Sequence, residues 1–365
     1  MTKTITLAFW AGGGVWGQSQ LINAKHIVDQ TNIHLSDIVD IHTAGSIGNI
    51  AGLVTATKKP YQTAQEEFRD CATKMMGGKL RSVQLTRSVI HSLRNLQQCR
   101  WYNPRNIVLR DHSGKIHLQH SILEQFLQQT LGDTKLEDLD PAFVSIAHSM
   151  TENDRICFAH MGKFDLFDET KWTVVPNHGA HHRVTDIVMA STAAPTVFGS
   201  HSVNGQSYID CASLCSPLST VRNIFRMVAD PENTRVEILY FGTGFTEETI
   251  WCHETYNNQG ILQILADWEK SKAHGNIKSD FREIEADFDD RVSLHMIDTP
   301  VPSELHGKPF IHDAFNGSTE YMDAVEEITL NSLQTTGDHF GNIIERIAEQ
   351  KAREAAVDPL TVSLA

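Results

Sequence analysis

Two strand–turn–helix units lie at the start of the chain, and they constrain its fold more than any other feature. The segment TITLAFWAG is β-branched and aromatic and runs into glycines, which predicts a buried strand, and a helical pattern follows from Gly17 to about Gln30. DIVDIHTA (37–44) predicts a second strand, and SIGNIAGLVTAT a helix that begins at Ser46. We therefore predict an α/β fold, a mostly parallel sheet with helices on both faces.

The rest of the chain continues this pattern without repeats or low-complexity linkers. AFVSIAHSM, SYIDCA and VEILYFGTG predict further strands. Helical patterns cover 60–100, HSILEQFLQQTLG, RVTDIVMASTAAP, 261–271 and 321–354. We predict a main domain over residues 1–245 and a helical C-terminal extension over 246–365 that packs on the same domain.

The composition indicates a chain that can form a substantial hydrophobic core and that carries a net negative charge. It is 41% hydrophobic, with a formal net charge of -14, so no nucleic-acid partner is expected, since that needs a basic footprint. No apolar run of about 18 residues occurs, so no transmembrane segment is predicted. The N-terminus lacks a signal cleavage site and the cysteines are scattered. We expect a cytoplasmic protein with reduced thiols, and secretion by a signal-less route stays open.

One stretch departs from the acidic background. Residues 71–110 contain no Asp or Glu and these basic residues: Lys74, Lys79, Arg81, Arg87, Arg94, Arg100, Arg105 and Arg110. Such a run is typical of a solvated helical face, and it would also suit anionic lipid headgroups or an acidic protein partner.

A serine lies on the turn between the second strand and its helix. In HTAGSIGNI, Ser46 has small neighbours, and such a turn exposes the hydroxyl beside a helix N-terminus, where developing negative charge is favoured. The motif is AxSxG, with Ala44 where a glycine is usual and Gly48 in place. Small-Ser-small turns also occur as purely structural turns, so the motif alone leaves both interpretations open.

A glycine loop, GGGVWG, follows the first strand. Its consecutive glycines, Gly12, Gly13 and Gly14, can turn backbone amides toward a developing oxyanion. With Gly17 the loop also satisfies G-x-G-x-x-G, but no acidic residue near the end of the second strand suits the dinucleotide-binding role. No GxxxxGK[ST] motif is present either.

A third element is YIDCASLCSP, in which Asp210 follows a short strand. A carboxylate within hydrogen-bond reach of the serine could accept its proton directly if the site is dry enough to raise the carboxylate's basicity. An aspartate in a turn is more often a local hydrogen-bonding residue.

The order of these elements resembles the patatin-like phospholipase family. That family has an oxyanion loop GGGxRG, an elbow GxSxG, and a D-G-[GA] turn that supplies the aspartate of a Ser–Asp dyad. MASTAAPTVF (189–198) and LYFGTG (239–244) also resemble family segments before and after that aspartate. The resemblance covers at least residues 5–245 and implies a patatin-like α/β fold.

The resemblance implies a serine acyl hydrolase that cleaves fatty-acyl esters of phospholipids or related lipids. Ser46 would be the nucleophile and Asp210 its base, with an oxyanion hole formed by amides of Gly12, Gly13 and Gly14. The remaining motif positions are Gly17, Ala44, Gly48 and Ala212. The resemblance also implies a lipid or membrane-surface substrate and no cofactor, and it allows a protein activator.

Three residues depart from the family pattern. Trp16 replaces a basic residue, Ala44 replaces the first glycine of the elbow, and Cys211 replaces the glycine after the aspartate. These changes bear on rate and substrate preference more than on the fold. The alternative is a catalytically weak or dead patatin-fold protein that acts as a protein- or lipid-binding module.

The nineteen histidines suggest two further alternatives. A Ser–His–Asp triad would need a histidine after Asp210, but the sequence connects none of these to the site: His253, His274, His295, His306, His312 and His339. A metal site could use NHGAHHR, with His178, His181 and His182, but no zinc-type spacing accompanies it. We expect no metal.

Overall fold

The structure is a computed structural model that describes residues 2–76, 119–161, 178–194, 198–210, 216–245, 277–310, 312 and 316–357. Its strands are β1 (Lys3–Trp10), β2 (Ile41–Gly45), β3 (Ala142–Ser149), β4 (Asp154–His160), β5 (His201–Val203), β6 (Gln206–Ile209), β7 (Thr234–Phe241), β8 (Val292–Ile297), β9 (Glu304–Leu305) and β10 (Lys308–Pro309). Its helices are α1 (Gly17–Thr31), α2 (Gly48–Ala56), α3 (Tyr61–Met76), α4 (Gln119–Leu131), α5 (Val184–Ser191), α6 (Pro217–Met227), α7 (277–288) and α8 (Thr319–Val357).

A single large sheet organises the molecule. Its strand order is β5-β6-β3-β2-β1-β7-β8, and β4 pairs with β3 beside this path. The run β3-β2-β1-β7-β8 is parallel throughout, whereas β4, β5 and β6 pair antiparallel. The carboxyl ends of the parallel strands therefore meet along one edge of the sheet, where sites of α/β proteins form.

Side chains of β1 alternate between two cores, as strand geometry requires. Ala8 and Trp10 belong to a core built with α1 to α5 and α8. Ile5, Leu7 and Phe9 belong to a second core on the opposite face, built with α6 and α7. Helices thus cover both faces, and the predicted α/β fold with a mostly parallel sheet is confirmed.

The chain beyond residue 245 contributes strands as well as helices. β8 extends the sheet next to β7, and β9 and β10 form a small hairpin. We predicted a helical extension over 246–365, and the described part of that range also contains these strands. VSLHMI alternates apolar and polar residues over its first five positions, a strand pattern that was not identified from the sequence. The helix predicted at 261–271 lies outside the described residues, and the domain division stays a prediction.

Carboxylates from α8 and from the loop before β2 complete the hydrogen bonding at the start of β1. The pairing of β1 with β2 begins only at Leu7, which leaves the first residues of β1 unpaired on that side. The Thr4 N–H donates instead to the Glu354 carboxylate at 3.0 Å, and the Thr6 N–H donates to the Asp40 carboxylate at 2.7 Å. Because a buried backbone donor without an acceptor is costly, α8 anchors the strand that leads into the glycine loop.

Candidate active site

Strand β3 brings the predicted serine and aspartate together. β2 pairs with β3 up to Gly45, and β6 pairs in the opposite direction with the last residues of β3 up to Ile209. The other edge of β3 is occupied by β4, so β6 continues along the edge that β2 leaves. The next residue of each strand, Ser46 and Asp210, therefore approaches the same point from opposite directions.

The Ser46 hydroxyl donates to the Asp210 carboxylate. Oγ lies 2.5 Å from Oδ2, which is in the range of short, charge-assisted O–H···O⁻ bonds. Ser46 also has a φ of 51°, the left-handed region that few non-glycine residues adopt. Backbone strain of this kind costs on the order of 1–3 kcal/mol and persists only where the surroundings enforce it.

The residues after Ser46 explain where helix α2 begins. At Gly48 a Cβ would lie 2.2 Å from the Trp10 carbonyl oxygen, so only glycine allows the helix to start against the end of β1. We predicted that this helix begins at Ser46, and that was two residues early, because a φ of 51° is not helical. Ala44 is fully buried, and its methyl group packs into the core that contains Trp10.

A buried serine that the sequence analysis missed holds the turn in place. The Ser191 hydroxyl accepts from the Ser46 N–H and from the Asn49 side-chain amide, both at 2.9 Å. It donates in turn to the Ile146 carbonyl at 2.6 Å. Ser191 ends α5 inside the segment MASTAAPTVF, so the signal that could have found it was the resemblance of that segment to the family.

The glycine loop contacts the same turn at both of its ends. The Ala11 carbonyl oxygen lies 2.8 Å from the position of a Cβ on Gly48, and the Ile47 side chain lies 2.9 Å from that of a Cβ on Gly17. Gly14 has a φ of 60°, which favours glycine. The loop then enters a 3-10 turn over Gly14–Trp16 and helix α1. Gly12, Gly13 and Gly14 therefore lie in a short loop whose ends contact Ile47 and Gly48, the residues that follow Ser46.

Trp16 points away from solvent and toward α8. Its ring is fully buried, stacks on the His312 ring at 4.6 Å, and donates Nε1–H to the Tyr321 hydroxyl at 3.0 Å. The basic residue typical of the family is thus replaced by a buried aromatic side chain, which links the glycine loop to the C-terminal helix.

Two buried titratable groups lie in the elements around the site. The Asp298 carboxylate accepts from the N–H groups of Gly244 and Thr299, each at 2.8 Å, and loss of hydration raises the pKa of Asp298 to about 7. In β2 the His42 Nδ1 accepts from the Trp10 indole at 3.1 Å, and complete burial lowers the pKa of His42 to about 3. His42 is therefore neutral at physiological pH.

The structure shows where the histidines proposed for a catalytic triad or a metal site lie. Within the described ranges no histidine hydrogen-bonds to Ser46, whose hydroxyl contacts Asp210. His295 bonds Glu237 at 2.6 Å, His306 bonds Glu327 at 3.0 Å, and His312 bonds the Thr243 carbonyl at 2.9 Å; His339 packs beside Phe340. His181 and His182 have ring centres 4.2 Å apart, and both His178 and His182 lie against Phe158.

No group of three or more metal-ligand side chains occurs among the residues that the structure describes. Cys71 is a buried free thiol. Several predicted features lie outside the described ranges: Cys211, Ala212, His253, His274 and the basic stretch beyond Met76.

A strained serine on a strand–turn–helix corner, bonded to a carboxylate and close to a glycine loop, is a geometry typical of α/β proteins that carry a nucleophile elbow. The family model of patatin-like phospholipases matches residues 10–219, which include all of these elements. The chain belongs to the patatin-like phospholipase family, as the motifs in its sequence predicted.

Comparison with solved structures gives distant similarities. VipD from Legionella pneumophila is 10% identical, with a TM-score of 0.33, over 90% of this chain and 67% of that one. Human GIVD cytosolic phospholipase A2 is 12% identical, with a TM-score of 0.34, over 66% of this chain. The match spans only 43% of the human enzyme. A search of curated proteins found no match.

Membership of the family supports a lipid hydrolase activity and a lipid substrate. None of the described helices is both long enough and apolar enough to cross a bilayer.

Proposed function

We propose that the chain is a serine acyl hydrolase of the phospholipase A type, which cleaves fatty-acyl esters of phospholipids or related lipids. The observation that carries the proposal is the 2.5 Å hydrogen bond between Ser46 Oγ and Asp210 Oδ2, formed by a serine with a φ of 51°. A turn with only a structural role does not need a carboxylate on the serine hydroxyl. A nucleophile and its base, in contrast, must be held within hydrogen-bond distance of each other and within reach of a substrate.

In the proposed acylation step Ser46 Oγ attacks the ester carbonyl carbon while its proton moves to Asp210. The carbonyl oxygen becomes an oxyanion, which the N–H groups of Gly12, Gly13 and Gly14 would stabilise. The tetrahedral intermediate then collapses. The C–O bond to the lipid alcohol breaks, that alcohol takes the proton from Asp210, and the acyl group remains as an ester of Ser46.

In deacylation a water molecule attacks the acyl carbon and gives its proton to Asp210. The bond between Ser46 Oγ and the acyl carbon breaks, the proton returns to Oγ, and the fatty acid leaves. Asp210 ends each cycle as a carboxylate, so one ester and one water become one acid and one alcohol. No cofactor takes part in this scheme.

The test is hydrolysis by wild type, Ser46→Ala and Asp210→Asn of a p-nitrophenyl fatty ester and of phospholipid vesicles. We expect Ser46→Ala to lose at least about a thousandfold in kcat. Asp210→Asn should lose about 10²–10⁴-fold, the typical contribution of a general base. A fluorophosphonate should add its mass to wild type and not to Ser46→Ala.

Matched control variants separate chemistry from folding. Ser279→Ala and Asp29→Asn make the same substitutions at exposed positions and should retain wild-type rates. Circular dichroism should show all variants folded. If Asp210→Asn is active and Ser46→Ala is inactive, the Ser–Asp dyad is wrong, and a triad with a histidine as the base becomes the better hypothesis.

A folded wild type that neither hydrolyses esters nor reacts with the fluorophosphonate would contradict the proposal. The binding-module alternative, or a requirement for a protein activator, would then explain the departures at Trp16, Ala44 and Cys211. A cytoplasmic location and a protein activator both remain predictions.

A further inference from the structure

We infer that Thr243 is a positioning residue that aims the Gly13 N–H into the oxyanion hole. The inference rests on the proposed function, because it assigns a role in forming the oxyanion hole to a residue outside the Ser46–Asp210 pair. Thr243 lies in the loop after β7, and its hydroxyl donates to the Gly12 carbonyl at 2.9 Å.

Because the peptide unit is planar, this contact also fixes the direction of the Gly13 N–H. In a planar trans peptide the C=O and the following N–H point in opposite directions. With the Gly12 carbonyl held by Thr243, the Gly13 N–H must face the opposite side of the loop. The described residues provide no hydrogen-bond acceptor for that N–H, so it is free to bind an oxyanion.

The neighbouring peptides are held in the same manner. The Ala11 carbonyl accepts from the Gln20 side-chain amide at 2.9 Å, and the Gly13 carbonyl accepts from the Trp16 N–H at 3.3 Å. Three consecutive carbonyls are therefore anchored within the protein. Of these anchors, Thr243 is a side-chain contact from a loop that is remote in sequence, so it can be altered without changing the glycine loop or helix α1.

Packing also explains why Gly13 must be a glycine. A Cβ on Gly13 would lie 2.1 Å from Thr243 Oγ1 and 2.3 Å from Thr243 Cβ. The threonine side chain thus occupies the place where another residue would carry its own side chain. This van der Waals contact between the Thr243 side chain and Gly13 limits the movement of the glycine loop, in addition to the hydrogen bond to the Gly12 carbonyl.

The backbone around Thr243 is fixed by hydrogen bonds to two other side chains. Its carbonyl bonds to His312 Nε2 at 2.9 Å, and the next N–H, that of Gly244, donates to the Asp298 carboxylate at 2.8 Å. The His312 ring is stacked under Trp16. A rigid loop on which the threonine side chain is fixed is what a positioning role requires.

The test compares Thr243→Val, which keeps the shape and removes the donor, with Thr243→Ser, which keeps the donor. Outright loss of one oxyanion donor costs about 10²–10³-fold in kcat. A donor that is present but poorly aimed should cost about 10- to 100-fold, so we expect this drop for Thr243→Val with KM unchanged. Thr243→Ser should restore most of the rate. A trifluoromethyl ketone, which forms a tetrahedral oxyanion on a serine, should bind Thr243→Val more weakly by the same factor.

The control is Thr329→Val in α8, where another buried threonine donates to a backbone carbonyl. It should leave kcat and the ketone affinity unchanged. A wild type that depends on Ser46, together with a Thr243→Val that keeps wild-type kcat and ketone affinity, would overturn this inference alone. Equal losses in Thr243→Val and Thr243→Ser would also overturn it, because the hydroxyl would then not matter. A wild type that neither turns over esters nor reacts with the fluorophosphonate would overturn the proposed function, and this inference with it.

Discussion

Replacing Ser191 with alanine should both destabilise the protein and slow its chemistry. The hydroxyl is fully buried and makes three hydrogen bonds, from the Ser46 N–H, from the Asn49 amide and to the Ile146 carbonyl. Alanine removes all three without adding bulk. The Ser46 N–H would be left without its acceptor directly beneath the proposed nucleophile.

The size of the effect follows from these contacts. The net contribution of a hydrogen bond is about 1 kcal/mol, and an orphaned buried group costs about 1–3 kcal/mol. Asn49 keeps its second bond, to the Ser46 carbonyl at 2.9 Å, so its amide is only partly orphaned. We therefore expect a loss of about 2–4 kcal/mol in the free energy of unfolding, a large share of the 5–15 kcal/mol typical of a domain.

The catalytic effect has a separate origin. Ser46 is held at a φ of 51°, and without the Ser191 contact this strained backbone can relax. A relaxation that raises the barrier by about 1.4–2.8 kcal/mol lowers kcat by about 10- to 100-fold. KM should change little, because no substrate contact is removed.

Urea unfolding and ester kinetics measure the two effects on the same samples. Ser145→Ala is the matched control, since Ser145 is equally buried, one residue before Ile146, and its hydroxyl has no partner among the described residues. That variant should be near neutral. A double-mutant cycle between Ser191→Ala and Asn49→Ala should show a coupling of about 0.5–3 kcal/mol, as for residues in direct contact.

The reasoning is refuted if Ser191→Ala unfolds within about 0.5 kcal/mol of wild type, the range of unremarkable surface changes. It is also refuted if the variant keeps the wild-type kcat while the Ser46→Ala variant is inactive.

Two further predictions concern the elements beneath the site. Gly48→Ala places a methyl group 2.2 Å from the Trp10 carbonyl oxygen, so α2 must shift. We expect the free energy of unfolding in urea to fall by about 1–3 kcal/mol, and kcat to fall as well. An unchanged unfolding midpoint and an unchanged rate would contradict the close contact between Gly48 and β1. Burial lowers the pKa of His42 to about 3, so between about pH 6.5 and 3 the unfolded chain binds a proton that the folded chain does not, and stability falls as the pH falls. A His42→Gln variant, which keeps an acceptor for Trp10, should lose about 3 kcal/mol less than wild type between pH 7 and pH 4; parallel pH curves would show that this histidine does not contribute.

Local patterns determined much of the fold and the candidate site. The strand that ends in GGG, the small residues around Ser46 and the helical periods are short-range signals, because glycine requirements and side-chain alternation act over a few residues. They were sufficient to predict β1, β2, β3 and β7, helix α1 and the turn at Ser46. The order of the motifs predicted the family and proposed Asp210 as the partner, and the catalytic roles of both residues stay proposals.

Contacts between residues far apart in sequence were decided only by the tertiary structure. Asp210 reaches Ser46 across 164 residues because β6 takes over the edge of β3 that β2 leaves. Ser191 and Thr243 contact the elbow and the glycine loop across 145 and 231 residues. No periodicity in the sequence encodes such pairs, since they depend on how packed elements bring loop ends together. The edge strand β8 was missed although its residues alternate between apolar and polar, and only the tertiary structure shows that it pairs in parallel with β7.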